Sequence, residues 1–329
     1  MRRAARWGAS PVGRLLRGPL AAALAAAALG AGGQVPRPFE STQVHMGLPV
    51  RILLHAPDDR RAESATAAAF ARIAALDRMM SDYQPQSELR RLETSGTSWT
   101  PVSPDLLEVL TTAVAIARAT DGAFDPTIGP LVELWREARQ TGKMPPAAAR
   151  EAARARVGWR HLEIDRASGA VRLARQGMRL DLGGIAKGYI LQQALRTLRQ
   201  EGLGRALIDT GGDIIVGSGP PGLAGWRIDA AGADAAFRER ASQLTNAAVA
   251  TSGDESQFVE IDGVRYSHIV DPRTGLGLTN RITARVIARD GAIADALATA
   301  LAVMGPEGVP LVQQKYPDVL ISISAPGGQ

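Results

Sequence analysis

The stretch from Arg179 to Tyr189, Arg-Leu-Asp-Leu-Gly-Gly-Ile-Ala-Lys-Gly-Tyr, constrains the fold more than any other part of the chain. A short apolar strand pattern ends at Asp181, two glycines turn the chain, and a helical pattern continues through Ile190, Leu191, Ala194, Leu195 and Leu198. A strand, a glycine turn and a helix start in that order leave bare N–H groups at a helix N-terminus, where phosphate oxygens bind. Lys187 falls in the first turn and is one of three lysines in a chain that otherwise uses arginine. Alone, the same residues also describe an ordinary strand-to-helix turn with a packing glycine and a solvated lysine.

The rest of the chain is large enough to surround such an element. Its 329 residues, 45% hydrophobic and 22% charged, suit a globular body with a proper core. There is no cysteine. Disulfides, thiolate metal sites, a cysteine nucleophile and a cysteine lipid anchor are therefore excluded. The net charge of +5 is concentrated at the start, where residues 1–35 carry Arg2, Arg3, Arg6, Arg14 and Arg17 and no acid. The remainder is close to neutral, so nothing marks a nucleic-acid partner. A basic start and an apolar run from Pro19 to Ala31, too short for a comfortable membrane span, read as an export signal. Small residues from Ala28 to Gly33 suit cleavage, and an uncleaved anchor is the alternative. Arg2-Arg3 hints at twin-arginine export, but its surroundings match poorly. The expectation is an exported protein, periplasmic or in the cell envelope, whose mature body begins near Gln34.

Residues 36–329 read as one α+β domain with helices on a mixed or mostly antiparallel sheet. Thr42 to His55 alternates apolar residues with period two and reads as one strand. Asp58 to Met80, Pro104 to Thr120, Leu131 to Arg139, Ala147 to Arg156, Ala292 to Met304 and Pro306 to Lys315 read as helices, and Ser87 caps a short helix through Leu92. A hairpin is expected from His161 to Ile164 and Ala170 to Leu173. Further strands are expected at 205–208, 214–216, 226–229, 247–251, 258–261, 266–270, 282–288 and 319–323.

Two other stretches carry chemistry. In Tyr266-Ser-His-Ile-Val-Asp-Pro-Arg-Thr-Gly275 a titratable ring stands beside a tight turn, though a structural histidine at a strand end fits equally well. In Ala294-Asp-Ala-Leu-Ala-Thr-Ala300 the oxygen donors Asp295 and Thr299 are four residues apart and share one helix face. Oxygen donors suit Mg²⁺, which takes few protein ligands beside water and substrate phosphates. The plainer reading is a back-bonded threonine and a first-turn charge.

Taken together, the motifs resemble the FAD:protein FMN transferase family, the ApbE-type flavin transferases. The matching segments are His45-Met-Gly, Met80-Ser-Asp-Tyr with Ser87-Glu-Leu, Asp121-Gly-Ala-Phe-Asp-Pro-Thr-Ile-Gly-Pro-Leu131, and Asp181 to Tyr189. Asp209-Thr-Gly-Gly-Asp213, Ala250-Thr-Ser-Gly-Asp254, Tyr266 to Gly275 and Ala294 to Thr299 follow in the same order. The resemblance implies an ApbE-like, T-fold-related fold. It implies an enzyme that cleaves FAD and joins the FMN half by a phosphoester to a threonine or serine hydroxyl of a target protein, releasing AMP. By match of position, Met46, Tyr83, Ala123, Phe124, Asp125, Asp181, Lys187 and Val270 would line the FAD site. Gly184, through its carbonyl, would hold Mg²⁺ with Asp295 and Thr299, and His268 would assist the attacking hydroxyl. The implied partner is a target flavoprotein such as a subunit of a membrane redox complex, with proximity to a membrane surface. An FAD pyrophosphatase releasing free FMN shares this site, and a flavin carrier without turnover is the third reading. Gly277 stands where proline is usual, which predicts a looser loop. Arg136-Glu-Ala after Trp135 replaces a common Gly-Phe-Gly, Ser256-Gln257 replaces a frequent aromatic pair, and Gly184 replaces alanine or threonine.

Overall fold

The computed structural model describes residues 35–253 and 257–325. All but the last residue of the expected export signal lies outside the described residues, as do Asp254 and Ser256. The chain runs β1 (Arg37–His45), β2 (Leu48–Ala56), α1 (Asp59–Met80), α2 (Glu88–Thr94), β3 (Thr100–Pro101), α3 (Pro104–Ala119), α4 (Gly129–Thr141) and α5 (Ala147–Arg154). It continues β4 (Leu162–Asp165), β5 (Ala170–Leu173), α6 (Ala186–Gln200), β6 (Ala206–Asp209), β7 (Asp213–Val216), α7 (Ala235–Ala241) and β8 (Ala247–Ser252). The last elements are β9 (Phe258–Ile261), β10 (Val264–Ser267), β11 (Val270–Asp271), β12 (Leu276–Gly277), β13 (Thr283–Ala288), α8 (Gly291–Met304), α9 (Val309–Lys315) and β14 (Leu320–Ser324).

A seven-stranded sheet in the order β1-β2-β6-β7-β8-β13-β14 is the scaffold. Each neighbouring pair in it is antiparallel. Because side chains alternate along a strand, Ile52, Leu54, Ile208, Ile215, Ala248, Ala250, Ala284 and Val286 form one face and meet α1, α3, α6 and α8 in the main core. The intervening residues Leu53, Leu207, Val216, Val249 and Ile287 form the other face, which Trp226, Ile228, Phe237 and Leu244 cover. A third apolar cluster joins Leu131 and Trp135 of α4 to Val259 and Ile261 of β9 and to Val270. The expected α+β domain is thus built on one large antiparallel sheet between a helical layer and a mostly irregular one, with three smaller sheets among the described residues.

Several sequence expectations are corrected. The alternating run from Thr42 to His55 is a hairpin rather than one strand. Met46 and Gly47 turn it at φ 53° and 73°, the pair of positive values that a two-residue hairpin turn needs. The strand expected before Asp181 is only a parallel bridge between Arg179 and Ile128, continued by Asp181 N donating to the Pro126 carbonyl at 2.9 Å. Residues 226–229 form a single bridge, Trp226 to Leu244, instead of a strand. The helix α7 was not expected; Asp234 caps it by accepting from Phe237 N at 3.0 Å. The helix expected from Pro306 divides into a 3-10 turn at Pro306–Gly308 and α9. Pro310, with no N–H, fits a helix's first turn and not its interior. Gly277 does not loosen its loop: it pairs with Val270, and a Cβ there would stand 2.7 Å from the Ser267 carbonyl oxygen.

The helices α6 and α8 cross at glycine. A Cβ on Gly188 would lie 2.0 Å from the Gly291 carbonyl oxygen, and one on Gly291 would lie 2.3 Å from that of Gly188. No side chain fits between the two backbones. Alanine normally favours a helix interior over glycine by about 1 kcal/mol, but overpacking costs about 1–3 kcal/mol. Gly188→Ala is therefore expected to destabilise the protein, by roughly 1–3 kcal/mol in chemical denaturation, and an unchanged or higher midpoint would contradict the contact.

Candidate functional site

The glycine crossing sets α8 against the elbow at 183–188. One turn along α8 from Gly291, the Asp295 carboxylate accepts from Gly188 N at 3.1 Å and from Lys187 Nζ at 3.2 and 3.4 Å. One turn further, Thr299 Oγ1 lies 2.9 Å from where a Gly184 Cβ would stand, so the backbone there is close to the hydroxyl because residue 184 is glycine. Ser252, on the core face of β8, places its Oγ 3.1 Å from Thr299 Oγ1. Lys187 Nζ also bonds the Gly183 carbonyl at 3.2 Å and forms an ion pair with Asp213 Oδ2 at 3.1 Å. Both Asp213 oxygens are buried, and the lysine ammonium is the charged group beside them.

Two buried carboxylates thus share one ammonium. Burial works against the charge of Lys187, but Asp213 and Asp295 outweigh it and hold the group above the ordinary lysine range. Burial pushes the Asp295 carboxyl up to about 6; Lys187 and the Gly188 amide pull it down, while Asp213 adds to the rise. Among the described residues no three His, Cys, Asp or Glu side chains cluster as a metal site. The donors at the elbow are instead a carboxylate, hydroxyls and backbone carbonyls.

The elbow's amides are largely in use. Gly183 N donates to Asp181 Oδ1 at 2.8 Å, and Ile185 N and Ala186 N both donate to the Leu182 carbonyl, at 3.0 and 2.8 Å. The bare amides inferred between Gly183 and Ala186 therefore reduce to that of Gly184. Asp181 folds back on Gly183 as an Asx cap, and the Leu182 carbonyl takes the other two amides.

A second knot of charge joins the elbow to the α1–α2 loop. Arg136 pairs with Asp82, reaches Asp181 Oδ2 at 3.2 Å, and lies over the Tyr83 ring at 4.3 Å from its centre. Tyr83 remains 73% exposed, with its ring backed by the guanidinium. Burial and Asp82 raise the Asp181 carboxyl, while Arg136, the Gly183 amide and Arg90 lower it. The departure at Arg136 thus links two residues expected to line the FAD site. Asp125 is tied differently: it accepts from Thr127 N at 2.8 Å, Thr127 Oγ1 at 2.6 Å and Trp159 N at 3.0 Å. Both its oxygens serve the fold. Ala123, Phe124 and Val270 are buried, and Met46 N donates to Asp77 Oδ2 at 3.0 Å.

His268 is half-buried between β10 and β11. Its Nδ1 lies 3.1 Å from the Gln257 carbonyl oxygen. A carbonyl only accepts, so Nδ1 donates in that contact. A cleft of about 490 Å³ lined by Tyr266, Asp271, Thr274 and Asn280 opens on the same segment and contains none of the expected site residues.

A model of the ApbE family matches residues 46–321. The chain belongs to the ApbE family. A curated FAD:protein FMN transferase of Klebsiella pneumoniae (strain 342) is 34% identical over 277 residues, covering 80% of this chain and 77% of the relative. The solved ApbE protein of Thermotoga maritima superposes with a TM-score of 0.78 at 29% identity, covering 89% of this chain and 96% of that one. The apo flavinyl transferase ApbE of Pseudomonas stutzeri gives a TM-score of 0.78 at 28% identity, over 90% and 93% of the two chains.

Within this ApbE-family body, sequence reasoning gave no role to Asp213, Ser252 or Arg136. Asp213 and Ser252 lie in segments already quoted as motifs. Their signal was strand alternation: Asp213 shares its face with Ile215, and Ser252 with Ala248 and Ala250, toward the helices. Arg136 gave no periodic signal.

The raised Asp295 carboxyl has a consequence for stability. Its folded value of about 6 lies above the ordinary 3.8 of a free aspartate, so between these values the folded state binds more protons than the unfolded chain. That contribution is fully present below the unfolded value and is lost as pH rises through about 6. In chelator, wild type is expected to lose stability relative to Asp295→Asn between pH 5 and 7, by on the order of 1–2 kcal/mol. Parallel pH profiles for the two proteins in urea denaturation would contradict it.

Proposed function

We propose that this chain is an FAD:protein FMN transferase. A threonine or serine hydroxyl oxygen of the target attacks the phosphorus of the FMN half of FAD. The P–O bond to the bridging oxygen breaks, AMP leaves with that oxygen, and FMN stays on the target as a phosphoester. The observation that carries the reading is the approach of Asp295 and Thr299 to the elbow that holds Gly184 and Lys187. The transferase names of the curated relatives support it.

The residues present fit the magnesium ion that the family implies. Thr299 Oγ1 faces a backbone that a Cβ at Gly184 would push away, and Asp295 is 1% exposed. Such oxygen donors suit a hard dication. Asp295, Thr299 and the Gly184 carbonyl would hold it, and bound there it supplies positive charge to diphosphate oxygens as their bridge breaks. Lys187 adds fixed positive charge beside them. His268, beside the turn that follows β10, takes the acceptor hydroxyl's proton. Tyr83, backed by Arg136, offers a flat face to a flavin ring. Asp181 keeps its acceptor character through the Arg136 pair and orients polar groups of the dinucleotide. Asp125 holds the Ala123–Phe124 segment in place rather than offering free acceptors. The proposal extends to an enzyme exported by residues 1–35 that acts in the periplasm or cell envelope on a flavoprotein near the membrane.

The direct test is the mass of a candidate target incubated with protein, FAD and Mg²⁺. A target carrying one added FMN supports transfer; an unmodified target beside free FMN supports hydrolysis instead. Asp295→Ala is expected to abolish Mg²⁺-dependent AMP release while FAD still binds by flavin-fluorescence titration. Lost FAD affinity with unchanged turnover at saturation would remove Asp295 from that role. His268→Ala is expected to slow transfer about 10²- to 10⁴-fold with FAD binding preserved, and an unchanged rate would exclude it as the base.

A further inference from the structure

Asp213 is the buried charge that the reaction described above does not use. It opens β7 and points with Ile215 toward α6. It is 2% exposed, and neither carboxylate oxygen receives a hydrogen bond. A buried carboxylate without donors loses its hydration with nothing to replace it. Its compensation is Lys187, whose Nζ stands 3.1 Å from Asp213 Oδ2 and 3.2 Å from Asp295 Oδ1. The lysine therefore lies between two carboxylates on different elements, one from the sheet and one from α8.

We propose that Asp213 is a positioning residue that keeps Lys187 in the site while Asp295 holds a divalent cation. The inference rests on the magnesium reading of Asp295 and Thr299. With no ion, the three groups carry one surplus negative charge. A dication on Asp295 competes with the ammonium for the same oxygens and repels it. Without Asp213, Lys187 would have only that contested carboxylate as an anionic partner. With Asp213, the ammonium keeps a second partner whose oxygens are unclaimed, and a small shift of the flexible lysine tip frees Asp295. The surplus negative charge offsets the charge of the entering ion, so cation and ammonium can face a diphosphate together. Asp213 in this role acts through Lys187 and does not bind the ion.

The test is Mn²⁺ binding to the FAD-free protein, followed by loss of the free-ion EPR signal, in wild type, Asp213→Asn, Lys187→Met and the double variant. Thermal unfolding confirms that each is folded. Asp213→Asn is expected to weaken Mn²⁺ binding about 10- to 100-fold, the range for residues that support metal ligands. Lys187→Met is expected to bind at least as tightly as wild type. In the Lys187→Met background, adding Asp213→Asn is expected to cost much less than it does alone, because no ammonium remains to be held. An equal loss in both backgrounds would make Asp213 a ligand and overturn the proposal. Unchanged Mn²⁺ affinity in folded Asp213→Asn would overturn it as well, leaving a purely structural carboxylate. Absence of Mn²⁺ binding in wild type would instead overturn the magnesium reading beneath it. Should Asp213→Asn fail to fold, Lys187→Met with and without Asp213→Asn decides: a tenfold loss between them contradicts the proposal, and near-equality supports it.

Discussion

The site depends on two backbones touching without side chains between them. Gly188 in the first turn of α6 meets Gly291 at the start of α8, at a separation where a single methyl group would collide with a carbonyl. That contact fixes the axial register of α8. Residues at four-residue spacing recur on one helix face, so Asp295 and Thr299 are delivered in succession to Gly188 and Gly184. The glycines of the elbow thus have separate duties. Gly188 admits the helix, and Gly184 admits the hydroxyl at its far end. Wherever the elbow shifts, the donor pair loses its counterpart, because neither residue stands on a loop that can adjust.

Charge is arranged around this contact in two knots of the same composition, one cation between two carboxylates. Lys187 lies between Asp213 and Asp295; Arg136 lies between Asp82 and Asp181. The knots differ in kind. Lysine is a compact point charge on a flexible stem and can change partners, whereas the planar guanidinium holds two carboxylates at fixed angles and stacks on a ring. The first suits a place where, in our proposal, another cation enters. The second suits a wall, where it braces an exposed tyrosine against the turn that ends in Asp181. Both knots touch the elbow from opposite sides, one through the sheet and one through α4.

Much of this was legible from residue order. Period locates α1, α3 and α8 to within a residue or two, and Ser87, read as a cap, accepts from Arg90 N at 3.1 Å. The pairing of Asp295 with Thr299 on one helix face also follows from spacing. Other features are invisible to period. The Met46–Gly47 turn interrupts an unbroken apolar alternation, because a two-residue turn preserves the parity of both strands. The amides of the elbow were consumed by Asp181 and by Leu182, local contacts that a strand–glycine–helix pattern does not reveal. Asp213 was hidden by convention: a carboxylate in an Asp-Thr-Gly-Gly-Asp turn reads as a turn residue, and only the sheet's pleat shows that it points into the core. Arg136 sat in a segment whose motif is absent, so its contacts with Asp82, Tyr83 and Asp181 arise from tertiary packing alone.

The central claim is that a divalent cation is held between α8 and the α6 elbow. Anomalous scattering from crystals of this protein grown with Mn²⁺ locates such an ion without reference to turnover. The account predicts a peak coordinated by the Asp295 carboxylate, Thr299 Oγ1 and the Gly184 carbonyl oxygen. A well-occupied Mn²⁺ bound elsewhere, with Asp295 still closed on Lys187, would contradict it.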